Sequence, residues 1–330
     1  MYADYRPVFI TTVDTEEEWD WSGDFPRPPF STKNIQCLPE FQDFCQRIAI
    51  RPTYFVDHAV IEKPENQAIL ARYFSADTCD IGAHLHPWCT PPIDEEICDK
   101  NSHAVNLDLT LFRRKMVELT DGLAAAFGRH PTSFRSGRWG LNGKMLQVLA
   151  ELGYKIDSSV RPYYSDTAFS YDGAMTVPYW PSFGNVLEPG EQREILEIPA
   201  TSGYNHPNFE SLDNWGRKLR REPIRRLKIV GILSKLGWFN KIALTPEDQT
   251  LKEMCRSIDV AVKRRDPVLN LFFHSSDLMP GNTEYVKTEA DKVAFYDRIE
   301  QCVSHARNRY NAEFLTITEA YERFEGSVPV

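Results

Sequence analysis

Apolar, β-branched runs alternate along this chain with segments whose apolar residues recur at steps of three and four. The runs Pro7–Val13, Thr53–Val56, Asp80–Leu85, Thr132–Arg135, Tyr154–Ser158, Ile195–Ala200, Val268–His274 and Glu313–Ile317 read as strands. Several are almost entirely apolar, as expected for strands covered on both faces of a parallel sheet. Between them, Leu109, Phe112, Met116, Leu119, Leu123 and Phe127 mark one helical face. Met145, Leu149 and Leu152 mark another, which ends at Gly153, a residue suited to a helix C-terminus. Further helices are expected over Leu251–Lys263 and Ala290–Ala306. Strand–helix alternation of this kind predicts an α/β barrel or a doubly wound sheet.

Two segments break the rhythm. Residues 160–190 are rich in Tyr, Pro, Gly and Ser and read as a long loop or β insertion. Residues 213–245 carry a basic run, Arg217, Lys218, Arg220, Arg221, Arg225, Arg226 and Lys228, expected on a helix. Its ordinary reading is a solvated face, and its sharper one a contact for an anionic substrate or partner. With neither repeats nor low-complexity stretches, residues 1–330 read as a single barrel domain carrying these two interruptions.

Composition narrows the function. The 330 residues are 42% hydrophobic and 26% charged, ordinary for a globular protein, and the formal net charge of −9 argues against non-specific nucleic-acid or anionic-membrane binding. No stretch approaches about 20 uninterrupted apolar residues, so no membrane span is expected. The opening MYADYRPVFITTVD lacks the basic-then-apolar pattern of a secretory signal. The seven cysteines form no disulfide framework and read as reduced thiols of a cytoplasmic protein. Oligomeric state is not legible.

In a barrel, chemistry gathers where strands end on the C-terminal side. The first strand ends in Asp14-Thr15-Glu16, two carboxylates on one side if the strand continues, suited to a metal ligand and a general base. A solvated acidic turn is the alternative. The third ends in His84-Leu85-His86, whose imidazoles share a face and can bind one metal. Arg135 leaves an apolar strand and needs an anionic partner, in the site or remote from it. Asp157 suits pairing with Arg135, orienting another site residue, or capping the following turn. Glu197 interrupts an apolar strand and must be paired, protonated or facing a polar centre; Arg135 or Arg138 is the expected partner. His274, at the end of an apolar strand, suits a general acid or a structural hydrogen bond to the serines that follow. Trp19, Trp21, Trp88, Trp139, Tyr163, Tyr164 and Trp180 are candidates for stacking on a sugar at the mouth or for packing its rim.

In this order, the strand ends resemble the polysaccharide deacetylases of the NodB-homology group, carbohydrate esterase family 4. The phrases TVDTEEEWDW, IGAHLHPWCTPP, FRSGRWGLN, DSSVRP and LNLFFHSSDLMPG resemble a bacterial branch associated with surface polysaccharides. The likeness runs from Val8 to about Ile317. It implies a distorted (β/α)7-type barrel and a metal-dependent hydrolase that removes an acyl group, N-acetyl first, from a sugar or glycan. It implies a divalent metal, zinc first, with cobalt, nickel or manganese as alternatives. Asp14, His84 and His86 are expected on the metal, Glu16 as base, His274 as acid, and Arg135 with Asp157 as supports. The reverse assignment of Asp14 and Glu16 stays open. Trp88, Arg138, Trp139 and Glu197 are expected to serve substrate binding. The family's His pair is usually four apart, whereas here it is two apart and Trp88 holds the fourth position. Where the family places Pro after the Arg, this chain has Gly137 and Arg138, which implies a different substrate pocket. Rival readings are a hydrolase of another C–N bond in a cyclic imide or ureide, a catalytically inactive glycan-binding homologue, and a structural zinc site of Cys79, His84, His86, Cys89 and Cys98.

Overall fold

The computed structural model describes residues 5–20, 23–219 and 240–326. Each expected strand forms. The strands are β1 (Val8–Thr15), β2 (Pro52–Val56), β3 (Asp80–Leu85), β4 (Ser133–Ser136), β5 (Ile156–Asp157), β6 (Leu196–Glu197), β9 (Val268–His274) and β10 (Glu313–Phe314). These eight make one sheet, with β1 through β6 in sequence order, β9 on the other edge of β1, and every recorded pairing parallel. Short β10 pairs with Val8 and Phe9, while β2 pairs with the rest of β1 from Thr11 onward. The sheet curls, and its remaining seam lies between β6 and β9. Among the described residues, no strand fills that seam. Thr201 N–H donates to Asn270 O at 3.2 Å, Leu244 N–H to Thr201 O at 2.8 Å, and Phe272 N–H to Leu244 O at 3.1 Å.

Strand periodicity sets which side chains enter the barrel. On β1, Val8 and Ile10 join an interior cluster with Phe55, Ile156, Leu196, Ile198 and Val268. Phe9 and Val13 face the other way, into the larger core under the helices. Thr12 and Asp14 therefore continue the interior face of Val8 and Ile10 towards the mouth. The same parity on β9 carries Val268, Asn270 and His274 inward. On β3, Ile81, Ala83 and Leu85 pack outward, which sends Gly82 and His84 inside.

The helices follow the expected faces. The helix Leu109–Phe127 is N-capped by the Asp108 side chain and ends at left-handed Gly128. Leu251–Arg264 and Glu289–Tyr310 both begin with capping boxes, Thr250/Glu253 and Thr288/Asp291. Helices at Leu38–Arg47 and Pro64–Ser75 were not expected, although Leu38, Phe41, Phe44 and Cys45 of the first are buried at helical spacing. A small antiparallel hairpin, β7 (Ser202–Tyr204) with β8 (Lys241–Ala243), also escaped the sequence reading. Residues 160–190 are irregular, held by isolated bridges such as Ser165 to Ser170 and Pro181 to Pro189. Of the basic run, Arg217 and Lys218 fall on the helix Phe209–Leu219. Arg220, Arg221, Arg225, Arg226 and Lys228 lie outside the described residues, as does Trp21.

No described helix is long and apolar enough to cross a membrane. The loop after β3 is tied down from inside. Lys115, fully buried on the helix Leu109–Phe127, donates to the carbonyls of Pro87, Thr90 and Pro92 and pairs with Glu95 at 2.9 Å.

Candidate metal centre

β1 stops at Thr15, and its continuation turns towards β3. Glu16 N–H donates to Ser275 Oγ at 3.1 Å, and Asn34 Nδ2 donates to Glu16 O at 2.9 Å. These bonds redirect the Glu16 side chain. Its Oε2 lies 3.4 Å from His84 Nε2 and 3.3 Å from His86 Nε2. One ligand atom from each of the three lies within 4.8 Å of the others, and all three residues are buried.

Each imidazole is held in one tautomer. His84 Nδ1–H donates to Arg135 O at 3.1 Å, and His86 Nδ1–H donates to the Glu17 carboxylate at 3.1 Å. Burial lowers the His84 pKa to about 3 and that of His86 to about 4, so both rings are neutral near pH 7. Each Nε2 therefore carries a lone pair aimed at the Glu16 carboxylate, and His84 Nε2 is buried with no hydrogen-bond partner among the described residues. Burial, followed by repulsion from neighbouring acids, pushes the Glu16 carboxyl well above its usual range. With Glu16 ionised, three acceptors would converge without a donor, which is costly. A divalent cation resolves the conflict, and one carboxylate with two imidazoles is a donor set suited to zinc-type ions. The residues fit such an ion.

Asp14 faces elsewhere. Its Oδ1 accepts from Arg135 Nη1 at 2.7 Å, and its Oδ2 lies 3.8 Å from His274 Nε2. Burial alone would raise the Asp14 pKa, but the Arg135 guanidinium, with His84 and His274, outweighs it and holds the carboxyl below its usual value. Arg135 is itself fully buried, donating also to Thr12 Oγ1 and to Ser158 O and Oγ. His274 Nδ1–H donates to Glu247 Oε1 at 2.6 Å. Burial would depress the His274 pKa, but Glu247, then Glu16 and Asp14, outweigh it and hold the ring protonated.

Three buried carboxyl pairs surround this core: Glu17 with Asp57, Asp157 with Glu197, and Glu247 with Asp277. Burial, then the partner's charge, raises Asp57, Glu197 and Asp277 well above the normal range. Asp57 and Glu17 join His86 and Cys89 in a second compact group, and Glu247 and Asp277 join His274 in a third.

Several sequence expectations land elsewhere. Ile156, Leu196 and Ile198 point into the barrel, so parity turns Asp157 and Glu197 to the opposite side of the sheet. Asp157 accepts from Ser159 N and Oγ, the turn-capping alternative, and the side chain of Arg135 bonds Ser158 rather than Asp157. Glu197 accepts from Val160 N–H, with no ion pair to Arg135 or Arg138. Trp88 lies behind the imidazoles. It is buried, stacked 4.2 Å from the His86 ring, and donates Nε1–H to Glu17. Trp180 packs in the barrel core and Tyr163 in a small cluster under the hairpin. The zinc rival also fails on parity. Cys79 faces the helices with Ile81, and no described cluster gathers Cys79 or Cys98 with the imidazoles.

A cavity of about 250 Å³ opens over the centre. Asp14, Glu16, His84, His86 and His274 line it, with Trp19, Arg138, Trp139, Arg161 and Tyr164 among its walls. Glu247 and Glu17 were not singled out from sequence. Gly137 sits against the site because a Cβ there would lie 2.2 Å from His86 Cδ2 and 2.4 Å from Leu85 O. Gly137→Ala is expected to displace the His86 ring and cost about 1–3 kcal/mol, read as a lower denaturation midpoint.

No protein-family model matches the sequence, and no curated protein matches it either. Solved structures do. A Parabacteroides distasonis protein, provisionally named a glycoside hydrolase/deacetylase, superposes with a TM-score of 0.60 at 15% identity, over 99% of this chain and 73% of its own. A Mycobacterium smegmatis protein, provisionally named a polysaccharide deacetylase, superposes at 0.55 and 15% identity, over 99% of this chain and 93% of its own. The chain has the polysaccharide-deacetylase fold. The distorted barrel implied by the resemblance is that fold. Within it, the strand ends of β1, β3, β4 and β9 meet at one mouth, as polysaccharide-deacetylase-like motifs in that order imply.

Proposed function

We propose that this chain is a metal-dependent hydrolase that removes an acyl group, N-acetyl first, from a sugar or glycan. The observation that carries the reading is the convergence of Glu16, His84 and His86 between two prepared proton carriers, Asp14 and His274. Glu16, His84 and His86 would hold the metal. This exchanges the roles favoured from sequence, because Glu16 meets the imidazoles while Asp14 is engaged by Arg135. A divalent ion bound there supplies Lewis acidity, polarising the acyl carbonyl and lowering the pKa of attacking water.

Asp14 is the general base. Arg135 keeps it ionised at neutral pH and fixes the oxygen that accepts the water's proton. His274 is the general acid. Glu247 keeps it protonated and oriented, so Nε2 can deliver a proton to the departing amine or alkoxide. Glu247 is a positioning residue, and its effect has a sign. An acid with a raised pKa keeps its proton to higher pH, so activity falls only as pH climbs through that value. Glu247→Gln removes the anion that raises it. The alkaline limb of the kcat profile is expected to move to lower pH, with kcat down about 10–100-fold. An unmoved limb would remove Glu247 from this role.

The direct test is metal content beside turnover. Protein purified without chelators is expected to hold about one divalent ion per chain and to release acetate from acetylated sugars. Chelation should stop release, and zinc or cobalt should restore it. A cavity of 250 Å³ is also of a size to admit a cyclic ureide, so imides and ureides belong in the same screen. Metal-replete protein that hydrolyses none of these would support the inactive glycan-binding reading.

A further inference from the structure

Arg161 stands out in the cavity wall. Arg138 also lines the cavity, but it donates to Asp99 at 2.7 Å and to Ser102, with Asp166 4.0 Å away. Arg135 is fully engaged beneath. Among the described residues, the guanidinium of Arg161 forms neither a hydrogen bond nor an ion pair. Its nearest recorded partners are rings. Its Cζ lies 4.5 Å from the centroid of Tyr164, 5.0 Å from Phe272 and 5.7 Å from Trp139. Ring faces orient a guanidinium but accept none of its five N–H bonds in the plane.

The backbone around it is held firmly. Pro162 restricts Arg161 to extended conformations. Val160 N–H donates to Glu197 Oε1, Tyr164 N–H donates to Arg161 O at 3.1 Å, and Ser202 Oγ–H donates to Pro162 O. The neighbouring wall is strained. Arg138 and Trp139 both adopt left-handed backbone conformations, with φ of 55° and 68°. Non-glycine residues hold such angles at a cost, and they cluster at sites of function. A rigid, half-buried, ring-flanked guanidinium without a carboxylate suits planar bidentate recognition of an anion.

We propose that Arg161 recognises an anionic substituent, a carboxylate or a phosphate, carried by the acylated sugar. This rests on the cavity being the hydrolytic site proposed above. The acyl group would lie over Glu16, His84 and His86, and the anion would lie towards Tyr164 and Trp139. Neutral acetylated sugars would then be poor ligands.

Calorimetric binding to metal-free protein tests this apart from turnover. The probes are N-acetylglucosamine, N-acetylglucosamine 1-phosphate and N-acetylmuramic acid, titrated into wild type, Arg161→Gln and Arg161→Lys. In wild type, at least one anionic sugar is expected to bind about tenfold more tightly than the neutral one. Preference for the phosphate or for the carboxylate identifies the source of the charge. Arg161→Gln should abolish the preference, and Arg161→Lys should retain part of it. If the Gln variant does not fold, the Lys variant decides: a weakened preference supports the assignment and an unchanged one overturns it. Equal binding of all three sugars, no binding of either anion at millimolar concentration, or an undiminished preference in Arg161→Gln also overturns it. Absent turnover in metal-loaded protein would instead overturn the hydrolase reading and leave the anion site standing.

Discussion

Glu16→Gln and His86→Ala are expected to abolish both metal retention and turnover, whereas Asp14→Asn should keep the metal and lose about 10³-fold in kcat. The contrast follows from where the two carboxylates point. Glu16 Oε2 lies 3.3–3.4 Å from both imidazole Nε2 atoms. Removing its charge leaves two neutral nitrogens, too few donors for tight binding. Asp14 has its Oδ1 on Arg135 and its Oδ2 facing His274. Replacing it with Asn preserves volume and removes the proton acceptor. Elemental analysis and steady-state kinetics on the same preparations give both readouts. Metal loss in Asp14→Asn with retention in Glu16→Gln would restore the assignment favoured from the sequence.

Arg135→Met is expected to destabilise the fold by about 3–5 kcal/mol, because it strands a buried Asp14 carboxylate without its cation. The guanidinium is fully buried, spans Asp14, Thr12 and Ser158, and lies 4.5 Å from the Phe55 ring centroid. The pH dependence has a definite sign. In the wild type, the folded Asp14 pKa is depressed, so its contribution is present above the unfolded value and lost as pH falls through the folded one. Without Arg135, burial dominates and raises the folded pKa, so the penalty grows as pH rises from acid to neutral. Arg135→Met should therefore be least damaging at low pH. The double variant Arg135→Met/Asp14→Asn should recover much of the loss, since no buried charge is left uncompensated. Denaturant midpoints at two pH values measure both effects.

Much of this was legible in the sequence because strands announce themselves and their ends are few. Asp80–Leu85 and Val268–His274 were expected with the boundaries they have. Asp14, His84, His86, Arg135 and His274 all meet at one mouth because the barrel's two-residue period carries them inward. The same period, pushed past a strand's end, misled. Asp14 and Glu16 were expected side by side, but β1 ends at Thr15 and Ser275 recaptures the chain. Trp88 was placed at the mouth, but after β3 the chain turns back, with Cys89 and Thr90 N–H groups donating to His86 O. Asp57 follows an apolar strand and was findable by the rule used for the others. Glu247 was not. It belongs to an irregular turn before the helix Leu251–Arg264, and only tertiary contact brings it to His274.

The parallel pairing of Val8–Asp14 with Val268–His274 has a consequence for synthesis. β1 leaves the ribosome long before β9, which covers one of its edges. Until β9 emerges, an apolar strand offers open backbone groups to any neighbouring chain, the condition in which nascent proteins associate wrongly. The proposed proton acceptor and proton donor sit on those two strands, so a chain without β9 would lack half of the proposed centre. A protein cut short before β9 would be sticky and inert together.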